Sequence, residues 1–461
     1  MFDTKTYSER RRTLLRQIRS GLVVLFGNEE SPMNYVANTY RFRQDSTFLY
    51  FFGLPTPGLA GILDAEAGTE TLYGDDIGLE DIIWMGYLPT LQQRALAVGV
   101  KETAPLAKFE ETVRKAVQAG RKVHVLPAYR ADTARAVERL LGLAPGEAKA
   151  KASPELIKGV VEQRIIKSAA EIDEIEAALG ATGEMYHFAM KTAKPGRYER
   201  DVAGGMEGIA LARGFRPAFP FIVTVNGQIL HNHDHGNLMK KGQMLVVDAG
   251  TESPRGYASD ITRTIPVGGR FNARQKEIYD IVLAGQETAI KMMKPGLKYR
   301  DVHLKVASVM ASGLKELGLM KGDLKEAVAK GAHALFFPHG LGHHLGLDVH
   351  DMENLGENYV GYSDAIKRSE QFGLAYLRMA KELKPGHVLT VEPGLYFIPA
   401  LVAKWKKEKR FPEFIHYAKT EKYLDFGGVR IEDNVLVNKA GARVLGKKIP
   451  KTIAEVEKAA A

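Results

Sequence analysis

The sequence predicts two domains in series: an N-terminal α/β domain, then a domain made of a duplicated α/β unit folded about an approximate dyad. Three observations carry that reading. Strand-like and helix-like runs alternate over the first ~160 residues, a polar stretch follows near 145–160, and two motifs then recur in the same order.

In the first part GLVVLFG, STFLYFFG and KVHVLP read as strands, and KFEETVRKAVQAG and TARAVERLLG as helices. An α/β domain over residues 1–162 follows. LAPGEAKAKASPELIKG, rich in Lys, Ala, Pro and Gly, reads as a connector. Ser168 is placed to cap a long helix, with Glu171 closing a capping box. The second domain therefore spans 163–461.

The first recurring motif is MKTAKPGRYERDV (190–202) against IKMMKPGLKYRDV (290–302). Each is a helix end, a Pro-Gly turn and an Asp suited to cap the next helix. The second is KKGQMLVVDAG (240–250) against KPGHVLTVEPG (384–394), where a turn glycine precedes a carboxylate by six residues: Gly242 and Asp248, Gly386 and Glu392.

Composition narrows the class. The chain has 461 residues, 45% apolar and 26% charged, and no apolar run long enough to span a bilayer. The N-terminal apolar run Leu22 to Phe26 is too short for a signal-peptide core, so a cytoplasmic enzyme is expected. There is no cysteine, which excludes disulfides, thiol nucleophiles and thiolate zinc sites; a metal must be held by His, Asp and Glu. The net charge of +9 is concentrated in short runs such as RRR (Arg10 to Arg12) and KWKKEKR (Lys404 to Arg410). With no aromatic-plus-basic module beside them, these read as a solvated basic surface, not a nucleic-acid site.

The carboxylates demand an explanation. Asp248 and Glu392 come from matching strands and should face one another across the dyad. Each half then reaches another acid in a strand-like segment, Asp260 in YASDITRTIPV and Glu432 in GGVRIEDNVLV. The turn sequence ESPRG sets Asp248 and Asp260 on neighbouring strands of a ribbon. Two like charges 4 Å apart repel by about 4 kcal/mol at an effective dielectric near 20, so such a cluster does not stay ionised unaided. Two divalent cations supply the missing charge, and a metal pair bridged by carboxylates is a recurring way to activate water.

PHGLGHHLGLDVHD, Pro338 to Asp351, holds four of the thirteen histidines: His339, His343, His344 and His350. Gly340 and Gly342 argue for a tight loop, not a helix, and there is no HExxH. A carboxylate-rich donor set with one imidazole suits Mn²⁺, with Co²⁺ or Zn²⁺ admitted. Spacing alone does not say which histidine is the ligand.

Asp248 in VVDAG, Asp260 in SDITRT, His343 in HGLGHHLG, Glu392 in TVEPG and Glu432 in RIEDN closely resemble the five-ligand set of the pita-bread (creatinase/aminopeptidase) metallopeptidases. HGLGHHLGLDVHD resembles their proline-peptidase branch, Xaa-Pro aminopeptidase and prolidase. The resemblance covers 165–440, and more loosely FRQDSTFLYFFG (Phe42 to Gly53). It implies an α+β pita-bread C-terminal domain holding two divalent ions. Asp248 would bind the first metal, Asp260 and Glu432 both metals, His343 and Glu392 the second. Glu392 would also take a proton from the attacking water. His350 would contact the substrate next to the proline, His231 in QILHNHDHG would hold the substrate or pass a proton, and His339 would line the pocket. Arg430 would support the cluster from behind its ligands, and His344 matches a variable position. One departure is Asn232, where the family often carries an aromatic; His233 and His235 follow it.

The activity implied is hydrolysis of the Xaa-Pro bond at the N-terminus of proline-containing peptides by a metal-activated water. The alternative is a prolidase restricted to dipeptides. For that reading, Arg378 in LRMAKELKPG aligns with an arginine that fixes the free carboxylate, and the insertion Tyr396 to Gly427 resembles prolidases. Layout places Xaa-Pro aminopeptidase ahead. Methionine aminopeptidases usually lack such an N-terminal domain, creatinase-like enzymes lack the metal set, and binding modules of this fold tend to lose ligands. The N-terminal domain is expected to build a homodimer and restrict access to the site, with neither nucleic acid nor membrane as partner.

Overall fold

Alternating runs in the first part become a mixed five-stranded sheet in the computed structural model, which describes residues 1–461. Its order is Glu102–Ala104, Thr69–Tyr73, Ala60–Asp64, Leu22–Phe26, Val123–His124, antiparallel in the middle and parallel at both edges. Leu22, Val24 and Ile62 on the strands pack with Phe109, Val113, Val137 and Leu140 from the helices Leu106–Gln118 and Ala131–Leu141. This unit comprises Met1–Arg164 and Met352–Tyr359; the other comprises Ile165–Asp351 and Val360–Ala461.

Three expectations for the first unit need correction. STFLYFFG is a helix, Ser46–Phe52, not a strand: the Asp45 carboxylate accepts from Phe48 N–H, and Gly53 at φ +65° ends it. Six of its seven residues are buried, so the one-sided apolar stripe that marks a surface helix is absent. The supposed connector is irregular, with one 3-10 turn, only as far as Ser153; its last six residues open the helix Pro154–Arg164, which buries Leu156, Ile157 and Val160. Nor is RRR a solvated patch. Arg11 is fully buried, paired with Glu70 at 2.6 Å and donating to the carbonyls of Phe51 and Val98. Arg10 lies over the Tyr50 ring at 3.8 Å, leaving Arg12 exposed. In KWKKEKR, Trp405 is buried under Arg410 and Lys406 pairs with Glu421, while Lys407 and Lys409 face solvent.

In the second unit the duplication is physical. Helix pairs Ala169–Thr192 with Glu199–Ala212, and Ala273–Met292 with Tyr299–Glu316, are joined by KPG turns with Gly196 at φ +86° and Gly296 at φ +83°. Gly196 N–H donates to Met239 and Gly296 N–H to Leu383, each at 2.9 Å, so equivalent turns dock on equivalent segments. The Asp of each repeat stands at the third helical position, not at the cap; Asp201 reaches back to accept from Tyr198 N–H. Ser168 and Glu171 form the capping box at the start of the first helix. Each half contributes a three-stranded sheet: Ile222–Thr224, Met244–Ala249 and Ile261–Pro266 in one, Val388–Val391, Asp433–Asn438 and Gly441–Val444 in the other.

His303 and His333 lie 6.4 Å apart in the core of this unit, and none of their four ring nitrogens has a hydrogen-bond partner from the protein. Burial pushes them down to about 3 and about 4. A histidine in the unfolded chain takes its proton near 6.5, so between that pH and the folded values the unfolded state binds more protons. Their contribution is complete above about pH 6.5 and is lost as the pH falls, by at most about 1.4 kcal/mol per pH unit for each ring. Urea unfolding between pH 7.5 and 4.5 should show this slope. His303→Leu should reduce it by one ring's share, and an unchanged slope would refute the assignment.

Candidate active site

Each half delivers its acids by the same device. Asp248 is the penultimate residue of Met244–Ala249 and pairs in register with Thr262, while Asp260 stands one residue ahead of Ile261–Pro266. In the other half Val391 pairs with Asp433, so Glu392 and Glu432 are the next positions outward on the two chains. The halves are stitched where the acids sit: Asp260 N–H donates to Asn434 Oδ1 and Glu432 N–H to the Thr262 carbonyl, each at 3.0 Å. The Thr262 hydroxyl donates to Glu432 Oε2 at 2.7 Å.

His343 reaches this cluster from a glycine-spaced loop. Its Nδ1 lies 3.0 Å from the His344 carbonyl, which can only accept, so the proton sits on Nδ1. Nε2 is thereby left as a lone-pair donor, 3.4 Å from Asp260 Oδ2 and 3.5 Å from Glu392 Oε1. A Cβ at Gly342 would fall 2.1 Å from the Thr390 carbonyl, which is why the loop needs glycine there.

Burial first, then mutual repulsion, drives Asp260 and Glu432 well above the usual carboxylate range, and burial raises Glu392. Asp248 Oδ1, Asp260 Oδ1 and Glu432 Oε1 are buried without a hydrogen-bond donor. Arg430 answers part of the charge: Nη2 meets Asp248 Oδ2 at 2.6 Å, Nε the Thr262 hydroxyl and Nη1 the Tyr396 hydroxyl. One guanidinium does not balance four acids. Donor atoms of Asp260, His343 and Glu432 all lie within 4.8 Å of one another, near the ~4.2 Å between opposite ligands of a cation bonded at ~2.1 Å. Orphaned acceptors, clustered negative charge and a free imidazole lone pair fit divalent cations.

All the candidate residues border one cavity of about 780 Å³: Asp248, Asp260, His343, Glu392 and Glu432, with His231, His339, His350, Arg378 and Arg430. The His350 ring centroid is 4.1 Å from that of His343. His339 Nδ1 donates to the Gly340 carbonyl, so its Nε2 accepts from the Tyr396 hydroxyl at 3.0 Å, and burial pushes the ring down to about 3. His231 is exposed on the cavity wall, and desolvation on its protein-facing side lowers its affinity for a proton. His233 also borders the cavity, whereas His235 is turned to the Phe221 carbonyl. Asn232 donates to the Thr224 hydroxyl. The His344 side chain instead packs on His387, ring centroids 5.0 Å apart. Arg378 lies in an irregular segment, not on a helix.

Sequence reading missed the apolar wall, formed by Phe219, Leu230, Phe372, Tyr376, Ile398 and Leu401. No motif announces it, because four separate segments contribute. Tyr396, the hinge between Arg430 and His339, was equally silent.

Residues 173–439 match metallopeptidase family M24, and residues 7–126 match the aminopeptidase P N-terminal domain. A probable Xaa-Pro aminopeptidase of Aspergillus clavatus is 34% identical over 457 residues, 96% of this chain and 93% of that protein. Human Xaa-Pro dipeptidase is 29% identical, over 95% of this chain and 88% of its own. Zinc-substituted Escherichia coli aminopeptidase P in complex with product is similar at TM-score 0.81 and 29% identity, covering 100% of this chain and 98% of that one. Proline aminopeptidase P II from Yersinia pestis gives 0.81 and 29%, covering 99% of both. The chain belongs to metallopeptidase family M24, and its second unit has the α+β pita-bread architecture.

A cation bound to the folded site alone stabilises by mass action, about 2.7 kcal/mol at a free concentration 100 times its Kd. Chelation should therefore lower the calorimetric unfolding temperature and added Mn²⁺ restore it. A transition indifferent to both would count against a cation among these acids.

Proposed function

We propose that the chain removes the N-terminal residue from peptides whose second residue is proline, using two divalent cations. The observation that carries this reading is the convergence of three buried acids, the half-buried Glu392 and one imidazole lone pair on the floor of a cavity with an apolar wall. The relatives named Xaa-Pro aminopeptidase support it. Asp248, Asp260, His343, Glu392 and Glu432 would hold the ions, with Asp260 and Glu432 shared between them. Mn²⁺ is the ion that best suits so many carboxylate oxygens. When bound, the cations supply a nucleophile near neutral pH and polarise the scissile carbonyl.

The chain's own groups do the rest. Glu392, with its side chain 19% exposed, is the most open of the four acids, and its carboxylate takes the proton from the attacking water. Proline's amide nitrogen carries no hydrogen and leaves only when protonated, so that proton must be returned to it. His350, beside His343, contacts the substrate next to the proline. His231 holds the peptide or passes the proton. Arg430 and Tyr396 fix Asp248 and His339 so that neither drifts as charge develops. Phe219, Leu230, Phe372 and Tyr376 give the pyrrolidine ring an apolar seat and displace water.

A homodimer with the first unit at its interface is part of this reading. Leu79, Ile83, Trp84, Met85 and Tyr87 are each 69–80% exposed there, more apolar surface than a lone soluble domain ordinarily leaves in water. A cytoplasmic enzyme is the location in keeping with a chain that carries no cysteine.

The second reading, a prolidase, is favoured by Arg378, a cation on the cavity wall suited to the free carboxylate of a dipeptide. Ala-Pro-Ala and Ala-Pro assayed with Mn²⁺ separate the two. Comparable kcat/KM on both is expected here, and a tripeptide left intact would establish the prolidase. Asp260→Asn and Glu432→Gln should each abolish turnover and at least one bound metal while preserving the circular dichroism spectrum. Full metal occupancy in both variants would contradict the shared-ligand roles.

A further inference from the structure

Behind the histidine loop lies a buried ion pair that the proposed chemistry does not use. Lys167 Nζ meets Asp351 Oδ2 at 2.8 Å, with each side chain only 1% exposed. Two apolar groups would fill that space at less desolvation cost, so what the pair contributes must be sought in the geometry the two charges hold.

What they hold is traceable bond by bond. Residues 341–345 run alongside Val388–Val391, through the pairs Glu392 N to Leu341 O, Thr390 N to His343 O and Leu345 N to Val388 O. Beyond Leu345 that pairing stops, and 346–351 curls back so that Asp351 N–H donates to the His344 carbonyl at 2.9 Å. The same carbonyl accepts from His343 Nδ1 at 3.0 Å. Inside the curl, Asp351 Oδ1 accepts from Asp348 N–H while Oδ2 takes the lysine. A Cβ at Gly346 would lie 2.6 Å from Asp351 Oδ2 and 2.7 Å from Lys167 Cε, so the pair fits only because that position is bare. Lys167 is anchored in turn, its N–H donating to Gly386 O just ahead of the neighbouring strand.

We infer that Lys167 and Asp351 are positioning residues that clamp the 346–351 curl. The clamp sets the His350 ring over the cavity and, through the His344 carbonyl, keeps the His343 Nε2 lone pair aimed at Asp260 and Glu392. This role rests on the function proposed above for its activity readout, and stands apart from it in its binding readout.

Two measurements on the full chain test it: Mn²⁺ affinity of the metal-free protein by calorimetry, and kcat and KM on Ala-Pro-Ala and Ala-Pro at saturating Mn²⁺. Removing a partner that orients a metal-binding side chain typically costs about 10–100-fold. Asp351→Asn and Lys167→Met should each weaken Mn²⁺ binding by about that factor. Each should also lower kcat on whichever peptide the wild type cleaves, with KM moving little. Lys167→Arg, which keeps the charge, should recover much of the loss. Met310→Ala, a core truncation on Tyr299–Glu316, serves as the control: it should lower the melting temperature and leave both readouts alone. If a single variant fails to fold, the neutral pair Lys167→Met with Asp351→Asn decides by the same readouts, since it buries no lone charge. Wild-type Mn²⁺ affinity and kcat in the variants, or equal losses in the control, would overturn the clamp. A wild-type protein that cleaves neither peptide would sink the proposed function and leave the Mn²⁺ comparison to judge the clamp alone.

Discussion

Asp260 and Glu432 each stand one residue ahead of a strand, and each is held by the opposite half of the duplicated unit, Asp260 through Asn434 and Glu432 through Thr262. Their carboxylates meet where water is excluded, and the protein returns little of what water would have given. Glu432 receives one hydroxyl, Asp248 one guanidinium, and three carboxylate oxygens receive no donor. A buried carboxylate in that position either takes up a proton or acquires a cation. The seam between the halves is thus the most demanding place in the unit, and the buried polar groups around it read as answers to that demand. Arg430 is one. Arg263 is another, fully buried, pairing with Asp433 at 2.7 Å and donating to the Glu432 carbonyl.

The duplication explains how such a seam arises without special pleading for each residue. Equivalent KPG turns dock on equivalent segments, and equivalent strands end in an acid at the same distance from a turn glycine. Folding the two copies face to face brings four acids together as a consequence of symmetry. What breaks the symmetry is chemistry: Ile222–Thr224 runs beside the Asp248 strand as 341–345 runs beside Val388–Val391, but only the loop between Pro338 and Asp351 delivers an imidazole to the cluster.

Much of this was legible in the residues because it broke a pattern. Acids inside apolar strand-like runs are conspicuous, as are turn glycines at a repeated interval, and the capping box at Ser168 follows from local rules. The rest depended on tertiary context. Ser46–Phe52 is enclosed on nearly all sides, so its composition looks like a strand, although Asp45 and Gly53 were available as cap and stop. Arg10 and Arg11 look like surface charge until the Tyr50 ring and carbonyl are known to hold the first, and Glu70 with the carbonyls of Phe51 and Val98 the second. Among four histidines in fourteen residues, spacing could not choose. The choice is made by which ring nitrogen meets a carbonyl and which meets a carboxylate. The apolar wall could not be read at all, since its side chains meet only in three dimensions.

The segment after Tyr396 leaves the catalytic sheet and returns at Gly428, and its two ends are zipped together by the pairing of Gly394–Tyr396 with Gly428–Arg430. Between those ends lie the helix Pro399–Lys407 and with it Ile398, Ala400, Leu401 and Lys404 on the cavity wall. The zip closes the excursion at its base: Ala400 and Lys404, exposed on the cavity wall, can be exchanged without tugging on Glu392 or Glu432, whereas Val402, Trp405, Phe414 and Ile415 are held in the core. Such an arrangement separates the acid-bearing strands, which must stay constant, from a stretch of cavity wall that need not. Descendants of this chain are thereby free to change their diet while keeping their chemistry.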